Sequence, residues 1–216
     1  MAKNSKWQNE YWLLLMETYL QEPVGIKPMY SRQMVNLSLE LHIQPEALFN
    51  KMSQIANFET PRIERIWEDY GHHPKKLARA ASLLRSMKGF NKAEEFYEGV
   101  EMNESFEKDF RPIDGCEPLT PMMLILILDQ YFRLTPNTMV EETPEIQELA
   151  SLMEIAPEKI VEVMDVFQHC DPYLRRKDTI SSPLLKPCQQ IWRRFGNGDT
   201  KQLASFASQL KDYFIK

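Results

Sequence analysis

The sequence predicts an all-α protein of two tandem helix-turn-helix-like modules. Three observations carry that expectation: only seven glycines among 216 residues, no stretch of sustained period-two alternation, and self-similarity at a fixed spacing. Moving residues 12–57 forward by 112 positions sets Leu14 on Leu126, Tyr19 on Tyr131, Leu37 on Leu149, Ile43 on Ile155, Pro45 on Pro157, Glu46 on Glu158 and Met52 on Met164. The register holds without a gap. After an insertion of about 13 residues in the second copy, Ile66-Trp67-Glu68-Asp69-Tyr70-Gly71 pairs with Ile191-Trp192-Arg193-Arg194-Phe195-Gly196. The predicted organisation is an N-terminal module over 1–92, an acidic connector over 93–117 and a C-terminal module over 118–216.

Each copy opens with an apolar helix, Tyr11 to Leu20 or Met122 to Leu134, whose near-continuous hydrophobicity predicts burial on several sides. A loop with Pro23, Gly25 and Pro28, or Pro136 and Asn137, leads to a second helix capped by Ser31 or Thr143. Leu37 and Leu41, or Ile146, Leu149 and Met153, mark its inward face. A three-residue turn follows, His42-Ile43-Gln44 or Glu154-Ile155-Ala156, and then Pro-Glu at 45–46 or 157–158. Proline there loses no hydrogen bond, and the acid meets the positive end of the helix dipole, so both sites are good helix starts. Tryptophan helices, Ile63 to Tyr70 and Gln189 to Phe195, then close each module with Trp67 and Trp192 as core anchors. Gly71 and Gly196 stand where a left-handed C-cap ends such helices. Amphipathic helices near Lys75 to Met87 and Lys201 to Phe214 come last, and the acidic stretch from Asn91 to Phe110 has a default reading as a solvated face. Met29, Met34, Met52, Met122, Met123, Met153 and Met164 fit core packing.

With 43% hydrophobic and 26% charged residues the composition is that of a globular chain. The first residues have no apolar run of the secretory kind, and Met122 to Leu128 falls far short of the roughly 20 residues a membrane span needs. Cys116, Cys170 and Cys188 have no regular spacing, which predicts free thiols and a cytoplasmic location. The net charge of −5 is uneven: 13 basic against 9 acidic residues in 1–92, 2 against 9 in 93–117, and 11 against 13 in 118–216. Only the first copy is electrostatically suited to a polyanion.

In the second copy Leu126, Leu128, Tyr131-Phe132-Arg133-Leu134, Pro144-Glu145-Ile146, Glu148-Leu149-Ala150, Leu152, Pro157, Phe167, Asp171-Pro172, Trp192 and Phe195 form a pattern. It resembles the helical segment upstream of the nuclease domain in a group of bacterial HNH restriction endonucleases. The first copy is similar but more diverged, keeping Tyr19-Leu20, Pro45, Lys51-Met52 and Asn57-Phe58. What the resemblance implies is a link to DNA-modifying systems without cleavage: His42, His72, His73 and His169 supply no His-Asn-His constellation. The family's turn glycine is His42 in one copy and Glu154 in the other. Glutamate is disfavoured at positive φ, so the second turn is expected to differ in geometry.

On the helix after the first turn, Leu48, Met52 and Ile55 form the inward stripe, while Glu46, Asn50, Ser53, Gln54 and Asn57 share the opposite face. Asparagine and glutamine suit adenine edges and cations suit phosphates. The candidate DNA contacts are therefore Asn50, Lys51, Gln54, Asn57, Lys75, Lys76, Arg79, Arg85 and Lys88, with double-stranded DNA as the partner. The corresponding face of the second copy, Glu158, Glu162 and Asp165, is acidic and would repel phosphate. It suits a basic protein surface or the first copy of another molecule, and Arg175-Arg176-Lys177 and Arg193-Arg194 add basic clusters to that half. The alternative reading is a protein-interaction module that has lost the nucleic-acid surface. The two separate on geometry: DNA binding requires the candidate cations on one face. Enzyme readings are weaker. His72-His73 do not share a helix face, His169-Cys170-Asp171 point in different directions, and no glycine-rich phosphate loop occurs. No catalytic residue, metal or cofactor is expected.

Overall fold

The computed structural model describes residues 7–87, 90, 106–174, 176 and 180–215. They are all-helical, with ten α-helices and no strand. The chain divides into two compact units, 1–105 and 106–216. Among the described residues no helix is long and apolar enough to cross a membrane.

The first unit holds α1 (Tyr11–Leu20), α2 (Arg32–Leu41), α3 (Pro45–Ala56), α4 (Pro61–Tyr70) and α5 (Pro74–Ser86). As its apolar sequence predicts, α1 is the central helix and packs against each of the other four. Leu14 and Leu15 are wholly buried and Met16 nearly so; burial of each such side chain stabilises the unit by about 1.5–3 kcal/mol. Ser31 caps α2 by accepting from the Met34 N–H, and Thr60 caps α4 by accepting from Ile63. Leu48, Met52 and Ile55 of α3 face the core.

The second unit holds α6 (Pro121–Tyr131), α7 (Pro144–Met153), α8 (Pro157–Cys170), α9 (Leu185–Ile191) and α10 (Thr200–Leu210). Here α6 takes the central place, buried continuously from Met122 to Asp129. It stops at Tyr131 rather than Leu134, because Thr135 precedes a proline and is extended. Thr143 does not cap α7; its hydroxyl donates to the Thr138 carbonyl at 2.6 Å. Residues 91–105 of the predicted connector lie outside the described residues. Its later part belongs to the second unit: Phe106–Phe110 is a 3-10 turn packed on α6, and Arg194 forms a bidentate pair with Asp109 at 2.7 Å.

Three local features recur in both units. The first is the turn after the second helix. His42 and Glu154 are both left-handed, at φ 54° and 57°, which corrects the expectation that the second turn would differ. Ile43 donates to the Ser38 carbonyl and Ile155 to Ala150, both at 3.1 Å. This Schellman-type closure satisfies helix-end carbonyls and tucks an isoleucine beneath the turn, offsetting a left-handed cost of about 1–2 kcal/mol.

The second feature corrects the reading of Gly71 and Gly196 as left-handed caps. Gly71 is right-handed at φ −58° and Gly196 belongs to a π-helical turn, Trp192–Gly196. Each glycine lies beneath the indole four residues earlier. A Cβ at 71 would meet the Trp67 carbonyl at 2.7 Å and its ring at 3.0 Å, and one at 196 would meet the Trp192 ring at 2.5 Å. Trp192 is buried, as expected of an anchor, whereas Trp67 is only half-buried.

The third is the inward stripe of the last helix, Leu77, Ala81 and Leu84 in α5 and Leu203, Ala207 and Leu210 in α10, all buried at the same spacing. Six of the seven methionines assigned to packing are buried and Met29 is half-buried.

Ser38 is 0% exposed and its hydroxyl has no hydrogen-bond partner. The position 112 residues later is Ala150, also buried. A buried unpaired hydroxyl is costly, so Ser38→Ala is expected to raise the unfolding free energy by about 1 kcal/mol. Urea denaturation measures it; a loss of stability would mean that the hydroxyl has a partner in solution.

Candidate nucleic-acid interface

The exposed side of α3 is narrower than its polar residues suggest. Glu46, Asn50 and Asn57 are exposed, but Ser53 and Gln54 are half-buried. The Ser53 hydroxyl returns to the Phe49 carbonyl at 3.1 Å, and the Gln54 side-chain oxygen accepts from Lys51 at 3.3 Å. Lys51 itself is half-buried, with its ammonium 5.5 Å from the Trp7 ring and 5.3 Å from the Trp12 ring. A cation held over two indoles is partly desolvated and satisfied where it is.

Arg85 is clamped by two carboxylates. Its Nε and Nη2 donate to Glu40 of α2 at 2.5 and 3.2 Å, and its Nη1 to Glu17 of α1 at 2.8 Å. Hydrogen bonds to Glu40 first, then to Glu17, hold the guanidinium pKa above its ordinary value. Lys76 lies over the Tyr70 ring at 4.8 Å and donates to the Asp69 carbonyl at 3.1 Å. Lys75 and Arg79 are exposed, with no ion pair among the described residues. Lys88 lies outside the described residues.

These positions lie on different elements of the first unit. Lys51 sits by Trp12, near the N-terminal end of α1. Lys76 sits by the end of α4, whose Trp67 meets Tyr19 near the C-terminal end of α1 at 6.0 Å. From Trp12 to Tyr19 is roughly 10 Å along the helix axis. Lys75, Lys76 and Arg79 share the first half of α5; Asn50, Lys51 and Gln54 lie on α3, with Asn57 as its C-cap; Arg85 is tied to α1 and α2.

The second unit presents a different surface. Glu145, Glu148, Glu154, Glu158 and Glu162 are exposed along α7, its turn and α8. Lys159 pairs with Glu162 at 2.8 Å, and Asp165 is half-buried and held by Arg176 at 2.8 Å. The Tyr131 hydroxyl donates to Asp171 at 2.8 Å; burial first, then that bond, raises its pKa. Cys116 and Cys170 are half-buried and Cys188 is buried, all as free thiols. Burial pushes Cys170 up to about 11 and also raises Cys116 and Cys188, which disfavours the nucleophilic thiolate.

No family model, curated protein or solved structure matches this chain. Its chemistry is read from its own side chains.

The Arg85 clamp left no trace in the sequence, because Glu17, Glu40 and Arg85 lie on three helices and no i,i+4 spacing announces them. Lys27 did leave one. It is 2% exposed, its Nζ donates to the carbonyls of Gln21 at 2.6 Å and of Pro23, and in the 112-residue register it stands where the second unit buries Met139.

Proposed function

We propose that this chain is a non-enzymatic interaction protein of two tandem helix-turn-helix-like modules that binds a protein partner of basic surface. The observation that carries this reading is the fate of the candidate cations: Lys51, Lys76 and Arg85 each have an intramolecular partner, on different parts of the first unit. The exposed glutamates of α7 and α8 add to it, since they repel phosphate and attract lysine and arginine. The module reading is supported by the paired left-handed turns, the paired tryptophan–glycine contacts and the paired leucine–alanine–leucine stripes. On the resemblance drawn from the sequence, the partner belongs to a DNA-modifying system.

A second reading, direct contact with duplex DNA, is favoured by the exposure of Asn50, Lys75 and Arg79. Fluorescence anisotropy with labelled duplex across a salt series separates the two. The expected result is no binding at about 10 µM protein near roughly 50 mM salt. Binding that falls steeply with salt and weakens in a Lys75→Ala/Arg79→Ala variant would establish a phosphate-contacting face and overturn the protein-partner reading.

A further inference from the structure

Loop 21–28 of the first unit has a single inward anchor, and that anchor is a lysine. Six of its eight residues are exposed and Gly25 is half-buried, whereas Lys27 is buried at 2% exposure. Its Nζ donates to the Gln21 carbonyl at 2.6 Å and to the Pro23 carbonyl. Its backbone N–H donates to the Met52 sulfur of α3 at 3.3 Å. The Gly25 N–H donates to the Tyr19 carbonyl at 2.9 Å, so the loop folds back on the end of α1. Lys27 thus ties the loop both to itself and to the core.

The second unit builds the matching loop, 133–140 in the 112-residue register, on a different anchor. There too one residue is buried, and it is Met139 at 6% exposure. A thioether is apolar at every pH; an amine is not. The closed loop offers the Lys27 Nζ two carbonyls. A neutral amine has two N–H groups to match them, whereas an ammonium has three and leaves one unpaired. Among the described residues no carboxylate pairs with Lys27, and a buried charge without one is costly. Glu17 and Tyr19 of α1 turn to Arg85 and Trp67, and Lys51 of α3 lies at Trp7 and Trp12. Burial lowers the Lys27 pKa from the ordinary 10.5, outweighing Glu22, the charge that acts on it in the opposite sense.

We propose that loop 21–28 is a pH-sensitive strap on the first unit: Lys27 holds it closed as a neutral amine, and taking up a proton loosens it. Opening returns the charged nitrogen to water, so the open strap binds a proton with lysine's ordinary affinity and the closed strap binds it more weakly. Protonation therefore favours the open strap. Closure is at its weakest below the closed-state pKa, strengthens as pH rises from there to the ordinary value, and is constant above it. The second unit, anchored by Met139, has no such response at this loop. The device is independent of any partner.

The test is an NMR titration of the full chain, isotope-labelled at its lysine side chains, between about pH 7 and pH 11. The Lys27 signal, identified by its loss in Lys27→Met or Lys27→Gln, is expected to titrate below the other lysines. Pulse-labelling hydrogen exchange then follows the Gly25 N–H, with the intrinsic exchange rate divided out at each pH. Its protection is expected to rise about threefold or more with the midpoint of Lys27. In Lys27→Met, which carries the anchor of the second unit, protection stays level with pH. Lys27→Gln, a neutral group with two N–H donors, gives the same level response. Lys27 titrating together with the other lysines overturns the proposal. So does level Gly25 protection in the wild type, or an undiminished pH response in both variants. If circular dichroism finds one variant unfolded, the other and the wild-type titration decide.

Discussion

Replacing Phe167 with alanine is expected to destabilise the second unit by about 3–5 kcal/mol. The side chain is wholly buried in α8, with its ring 6.1 Å from Tyr131 and 6.2 Å from Trp192. Removing it deletes the apolar contact of one ring and leaves a gap lined by two others too large to collapse into it. Tyr131 is further restrained by its bond to Asp171, so relaxation around the gap is limited. Calorimetry reads the effect as a fall of the second unit's transition, at about 4–8 °C per kcal/mol for a domain of this size. The first unit's transition should hold. A shift of only a few degrees would mean that the aromatic cluster repacks.

The second large effect is expected at Gly196, where alanine should cost about 1–3 kcal/mol by overpacking. The three nearest atoms to the added Cβ, at 2.5, 2.6 and 2.7 Å, all belong to the Trp192 indole, which is buried and touches Tyr131, Phe132 and Phe167. That ring cannot swing aside without disturbing its neighbours. Trp192 is also the only tryptophan after residue 67. Its emission in a Trp7→Phe/Trp12→Phe/Trp67→Phe background therefore reports the displacement directly. An unchanged spectrum with unchanged stability would rule out the close approach.

Helix identity was legible because the signals were local and doubled. Pro45-Glu46 and Pro157-Glu158 announce helix starts, and the 112-residue register carries the inward leucines from one unit to the other. The misreadings share a physical cause. Glycine at a helix end is ambiguous between a left-handed cap and a seat for a neighbouring ring, and only the tertiary path of Trp67 and Trp192 decides for the ring. Glu154 is left-handed against its own preference because the Schellman bond and Ile155 outweigh a local penalty. The candidate interface was the least legible part. A lysine or arginine reads as free charge in a sequence, whereas Lys51 finds two indoles and Arg85 two carboxylates on other helices. Trp67 was expected in the core, yet it is half-buried, whereas Trp192 is buried among Tyr131, Phe132 and Phe167.

The pairing of Asp109 with Arg194 decides where the chain can be cut. A fragment begun at residue 118 would discard Asp109, leaving Arg194 without its carboxylate, and Phe110, whose ring packs 5.8 Å from Tyr213 at the far end of the unit. It would also remove the Ile113 N–H that closes on the Leu119 carbonyl at 2.8 Å ahead of α6. A protease that trims from the N-terminal side should meet resistance at Phe106, so the autonomous piece starts about a dozen residues earlier than composition alone places it.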